Sequence, residues 1–150
     1  MSTAPTVLFV CVRNSGKSQM AAGLMRRAAA GKVIALSAGT DPAAKLNALS
    51  VAALAEVGVD LGGEHPKALD PLLLHTVDLV VVLGREAQLD VPAGVRMQRW
   101  ETDEPSQRGI EGMERMRLVR DDIAARVQAL AAELGSPVQP CPTSSIGMRI

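Results

Sequence analysis

The chain of 150 residues is poor in the side chains that build disulfide scaffolds and aromatic pockets. It has two cysteines, one tryptophan, one phenylalanine and no tyrosine. Cys11 and Cys141 stand far apart, so a disulfide framework is excluded and a reactive thiol is expected instead of a structural one. An excess of charge is missing too. Lys plus Arg and Asp plus Glu each number 16, for a formal net charge of zero. That balance argues against a general binder of nucleic acid or membrane surfaces. No apolar run approaches the roughly 18–20 residues needed to cross a bilayer. Met1 to Thr6 lacks the charged start, apolar stretch and cleavage site of a signal peptide. These absences lead us to expect a cytoplasmic protein. His65 and His75 have no cysteine or carboxylate at ligand spacing, and no metal site is expected.

What is present reads as one α/β domain, within the roughly 100–200 residues of a compact unit. Residues 6–12, TVLFVCV, and 78–84, DLVVVLG, are continuous apolar runs of the kind buried on both faces of a parallel sheet. VIALSAG at 33–39 is a further strand, and VRMQRWE at 95–101 a weaker one at an edge. Between them, residues 16–31 have helical spacing. Asp41-Pro42 reads as the start of a second helix that Gly58 ends, and Asp70-Pro71 as a short helical turn. Met116, Val119, Ile123, Val127, Leu130 and Leu134 form the stripe of a long final helix. The domain is expected over residues 1–134, followed by a flexible tail, 135–150. Alternating strands and helices predict an open parallel sheet with its ligand at the carboxyl ends of the strands.

The first strand runs at that edge into CVRNSGKS and then a helix. Val12, Arg13, Asn14, Ser15, Gly16, Lys17 and Ser18 suit an oxyanion. Asn, Ser and Gly permit turns that aim successive N–H groups at one point. The helix N-terminus adds donors and its dipole, Lys17 a full charge, Ser18 a hydroxyl, and Arg13 a second charge if it faces inward. Cys11 opens the loop, where these positive groups favour its thiolate and Ser18 is placed to hydrogen-bond the sulfur. The alternative is a small buried hydrophobe at a strand end. A nucleotide loop is the rival reading of GKS. Cys11 stands where its first glycine belongs, and Asp78 precedes the second buried strand instead of ending it.

With these residues in place, the chain resembles the low-molecular-weight protein tyrosine phosphatases and their arsenate reductase relatives. Cys11-x5-Lys17-Ser18 is similar to their C-x5-R-S loop, and NSGKSQMAAG at 14–23 to its arsenate reductase form. SAGT at 37–40, VDLVVVLG at 77–84 and DEPS at 103–106 follow in the family's order, over about residues 6–134. The resemblance implies a three-layer fold: an open, twisted, parallel four-stranded sheet with helices on both faces. It also implies arsenate over the 12–18 loop, Cys11 as nucleophile or orienting thiolate, and Asp103 as general acid, with Glu104 a substitute.

Two departures sort the relatives. Lys17 replaces an arginine whose planar fork would clamp a phosphoryl group, and aromatic side chains for a phosphotyrosine ring are scarce. Residues 79–92 hold no cysteine, so the resolving thiols of a thioredoxin-coupled relay are absent there. The resemblance then favours the actinobacterial, mycothiol-dependent branch. In that branch, arsenate is conjugated to mycothiol as co-substrate and later reduced to arsenite through a glutaredoxin-like mycoredoxin, with no bound cofactor. A tyrosine phosphatase and a non-catalytic oxyanion-binding module are the alternatives. Arg108, Arg115 and Arg120 are candidates for substrate contact, Arg108 foremost because it lies in a loop. Trp100 is expected to pack instead of binding substrate. Cys141 is read as incidental over resolving.

Overall fold

The computed structural model describes residues 4–135; the expectations for residues 136–150, Cys141 included, lie outside the described residues. Four parallel strands form one sheet: β1 (Thr6–Cys11), β2 (Ile34–Gly39), β3 (Leu79–Leu83) and β4 (Arg96–Trp100), in the order β2-β1-β3-β4. Three α-helices accompany it: α1 (Lys17–Ala29), α2 (Ala48–Glu56) and α3 (Gly112–Gly135). Short 3-10 helices span Pro71–His75 and Pro105–Arg108. Among the described residues no helix is long and apolar enough to cross a membrane.

The two apolar runs become the central strands because both sides of each are covered. Alternation along β1 divides the core. Val7, Phe9 and Cys11 face a cluster built with α1, α2 and α3. Leu8 and Val10 face the other side, against Leu74 of the Pro71–His75 helix, Val77 and Ala87. Helical elements therefore cover both faces, and the molecule has three layers. Each large core side chain such as Ile123 contributes about 1.5–3 kcal/mol by leaving water. The α3 stripe is as the spacing predicts: Met116, Val119, Ile123, Val127 and Leu130 are buried. β4 lies at the edge, with Arg96 and Met97 exposed.

The order β2-β1-β3 makes the carboxyl end of β1 a switch point, where connections leave to opposite sides and open a crevice. Cys11 and Gly39 are paired in register at that edge. A Cβ on Gly39 would lie 2.7 Å from the Val12 carbonyl oxygen, so only glycine lets β2 pass this close beneath the loop.

One boundary differs from the sequence reading. Asp41-Pro42 does not start the second helix; α2 begins at Ala48, capped by the Asn47 side chain, which accepts from Ser50 N–H at 3.0 Å. The cause is a competing use of the backbone. N–H groups of Thr40, Asp41, Ala43 and Asn47 bond to the carbonyls of Cys11, Val12, Arg13 and Ser15 at 2.8–3.1 Å. Residues 40–47 are thereby drawn out as a strap along the loop.

Helices α2 and α3 are joined by charge. Glu56 accepts from Arg117 Nη2 at 2.7 Å and Arg120 Nη1 at 2.8 Å. Hydrogen bonds first from Arg117 and then from Arg120 hold its carboxyl down at about 2, against an ordinary 4.5. A folded value below the unfolded one stabilises fully above pH 4.5, and the contribution is lost as pH falls toward about 2. Replacing Glu56 with Gln should therefore flatten the acid limb of stability. Urea midpoints of the parent and Glu56→Gln should differ most above pH 4.5 and converge near pH 2; a constant difference would remove this linkage.

Candidate active site

The loop after β1 is organised from below by one side chain. Asn14 is fully buried and adopts the left-handed conformation at φ 51, which asparagine tolerates better than most residues. Its backbone N–H donates to Cys11 Sγ at 3.2 Å, and its Nδ2 to Ser18 Oγ at 2.7 Å. Its Oδ1 accepts from Lys67 N–H at 2.8 Å and Gln19 Nε2 at 3.2 Å. Ser18 Oγ, which accepts from Asn14, also lies in hydrogen-bond contact with Cys11 Sγ, 2.9 Å away. The sulfur is thus held by two contacts, the Asn14 N–H and the Ser18 hydroxyl. Ser18 is where the sequence reading placed it.

The loop carbonyls are bound by the strap, and of the loop's backbone donors the Asn14 N–H is taken by Cys11 Sγ. Gly16 precedes α1 with no side-chain cap, and no acidic residue lies in the first helical turn. The N–H groups and dipole of that turn therefore have neither a side-chain cap nor a carboxylate in the turn to answer them. Above them is a cavity of about 230 Å³ lined by Cys11, Val12, Arg13, Ser15, Gly16 and Lys17, with Met20, Leu83, Met116 and Val119 supplying apolar wall. Asn47, Ser50 and Glu86 also line it; sequence reasoning missed all three. Neither Ser50 nor Glu86 stands in a motif, and the α2 cap became visible only once the helix start moved.

The charged candidates separate. Lys17 lies at the pocket and forms an ion pair with Glu104. Arg115, on the amphipathic final helix, contributes to the same wall, its Nη2 4.0 Å from Glu104 Oε1. Arg13 lines the pocket but sends its guanidinium to Asp41, at 2.8 Å. Asp103 is bound at 2.8 and 3.2 Å by Arg108 and lines a neighbouring cavity instead. Hydrogen bonding from Arg108 holds its carboxyl below the usual range. Arg120 is structural, donating to the Ala53 carbonyl and to Glu56. Trp100 packs on Phe9 with ring centroids 5.8 Å apart. Among the described residues no three His, Cys, Asp or Glu side chains gather as a metal would require.

The model of the low-molecular-weight phosphotyrosine protein phosphatase family matches residues 6–139. The chain belongs to this family. An arsenate reductase of Bacillus licheniformis is a 33% identical family relative, the match covering 84% of this chain and 94% of that protein. A glutaredoxin arsenate reductase of Synechocystis is 28% identical, with 85% and 97% covered. The solved thioredoxin-dependent arsenate reductase of Corynebacterium glutamicum superimposes with a TM-score of 0.76 at 29% identity. That match covers 89% of this chain, which spans 63% of the Corynebacterium one. In this family member the loop depends on Asn14. Asn14→Ala should cost about 2–4 kcal/mol in urea unfolding, since it strands several buried partners, and should weaken phosphate binding at the loop. A variant with parental stability and phosphate affinity would remove Asn14 from this role.

Proposed function

We propose that this protein reduces arsenate, by joining it to an external thiol, mycothiol, in a reaction started in the Cys11 pocket. The observation that supports this reading best is the setting of Cys11. It is the free cysteine of the described residues, its sulfur is bonded by Asn14 and Ser18, and it opens an anion loop carrying Lys17. The names of the relatives point to arsenate and to differing reductants, thioredoxin in one and glutaredoxin in another. Here the stretch 79–92 has no cysteine, which favours a thiol delivered from outside.

In the proposed reaction the loop donors, Lys17 and Arg115 offset the charge of arsenate. A thiolate, that of Cys11 or of mycothiol aligned by it, forms a bond to arsenic while an arsenic–oxygen bond breaks. The leaving oxygen takes a proton and departs as water, and arsenic stays pentavalent. If Cys11 bonds first, mycothiol then displaces it from arsenic. Electrons move only when a mycoredoxin thiolate attacks the mycothiol sulfur. The two sulfurs join as a mixed disulfide, and arsenic keeps the electron pair of the broken arsenic–sulfur bond and leaves as arsenite. The proton falls to the 103–104 carboxylates. Either carboxyl must give up an ion pair to carry the proton, Asp103 that with Arg108 and Glu104 that with Lys17. Glu104 is the one already in contact with the loop, and this favours Glu104. Phosphotyrosine hydrolysis is the second reading, favoured by the family match. The point charge of Lys17 and a pocket wall without an aromatic ring weigh against it.

Arsenate presented in parallel with mycothiol, glutathione or thioredoxin should be turned over with mycothiol. Cys11→Ser should abolish that turnover and Cys141→Ser retain it. Turnover with thioredoxin alone, or aryl phosphate hydrolysis without reductant, would replace the reading. Glu104→Gln should lower kcat by about 10²-fold or more and Asp103→Asn by less; the reverse order returns the acid to Asp103.

A further inference from the structure

Beside the Cys11 pocket lies a second cavity of about 420 Å³, within the roughly 300–1,000 Å³ usual for small-molecule sites. Its walls are the turn after β3 and residues 101–108, and both are braced. Gly84, at φ +93, swings the chain out of the sheet, and Arg99 Nη1 donates to its carbonyl at 2.7 Å. Asp103 N–H donates to Asp122 of α3 at 2.7 Å, and Arg126 Nη2 to the Glu101 carbonyl at 3.0 Å. Thr102, only 6% exposed, lines this cavity, and its hydroxyl has no hydrogen-bond partner in the protein. A buried hydroxyl left so is unusual in a folded protein and marks where a ligand can complete the bonding.

The cavity communicates with the chemistry. Glu86 lines both cavities. Glu104 lines the second while holding Lys17, which lines the first. Charge restricts the occupant. Two guanidiniums, Arg85 and Arg108, face four carboxylates, Glu86, Glu101, Asp103 and Glu104. Arg85 is already paired with Glu101, and Arg108 with Asp103. A phosphate-bearing or polycarboxylate thiol would enter a field of net negative sign and have to break an ion pair. Vicinal hydroxyls meet no such cost, because each can donate to a carboxylate and accept from a guanidinium without disturbing the pairing.

We infer that this cavity seats the uncharged, polyhydroxylated body of the thiol co-substrate, an assignment resting on the external-thiol reading above. The thiol-bearing arm then crosses the wall formed by Glu86 and the Lys17–Glu104 pair to reach the oxyanion over Cys11. The cavity selects among thiols by their bodies, admitting a neutral sugar-like one and disfavouring anionic ones.

The test uses the full chain and the sulfur-free N-acetylglucosaminyl-inositol portion of mycothiol, whose amide keeps it neutral, followed by ligand-observed NMR. Binding should occur in the presence of saturating phosphate. It should weaken about 5- to 10-fold in Thr102→Val, which exchanges a hydroxyl for a methyl, and in the exposed Gln107→Ala. In turnover the same variants should raise KM for the thiol by a similar factor, with kcat and KM for arsenate held. No binding, binding that both variants leave intact, or displacement by phosphate would overturn the assignment. A parent chain that binds the fragment but consumes no mycothiol with arsenate would retain the cavity and lose the proposed activity, so the two failures are distinct.

Discussion

A single asparagine sets the geometry of the loop. Asn14 binds the sulfur below, the serine that also bonds that sulfur, and the backbone of Lys67 across the crevice. These groups come from the loop itself and from a distant stretch at Lys67, and each is buried or half-buried around it. Remove the amide and Ser18, Gln19 and the Lys67 N–H lose hydrogen bonds in a buried setting, a larger penalty than the net value of the bonds themselves, while the backbone bond to the sulfur remains. The left-handed backbone at this position is sustained by the same contacts. The placement of the Ser18 hydroxyl against the sulfur follows from this one residue.

Around that centre the cations are distributed with some economy. Sequence alone offers Arg13, Lys17, Arg108, Arg115 and Arg120 as equals in charge. Packing gives each a different duty. Arg120 and Arg117 tie α2 to α3 through Glu56, Arg108 holds Asp103, and Arg13 leans on the strap at Asp41. Lys17 and Arg115 remain at the pocket, and both approach Glu104. The zero net charge of the chain is compatible with a locally positive site because most of the other cations are neutralised by named partners elsewhere.

The parts visible in the sequence were those encoded by local periodicity or by a contiguous motif. The strands at 6–12 and 78–84, the edge strand and the α3 stripe read directly from hydrophobic patterning, because a buried strand or an amphipathic helix has a period of its own. The position of residues 11–18 as a strand-to-helix loop with Ser18 against the Cys11 sulfur was equally readable, being eight consecutive residues. What escaped depends on contacts between distant residues. The start of α2 shifted from Asp41 to Asn47 because the 40–47 backbone is taken by loop carbonyls. Ser50 and Glu86 line the pocket without any local signature. Whether Asp103 or Glu104 meets Lys17 turns on the direction of one loop, which two adjacent carboxylates cannot reveal.

The strap has a mechanical consequence. Four rungs of hydrogen bonds join the loop's carbonyls to residues 40–47, and the last of these residues is the cap of α2. Loop and helix cap therefore behave as the two rails of a ladder, and neither can tilt alone. An anion that ordered the inner rail would also steady the outer one, so occupancy of the crevice would be felt at the first turn of α2, where Ser50 lines the pocket. The same coupling runs in reverse: a change that loosens α2 at its start reaches the oxyanion loop without altering a residue of it.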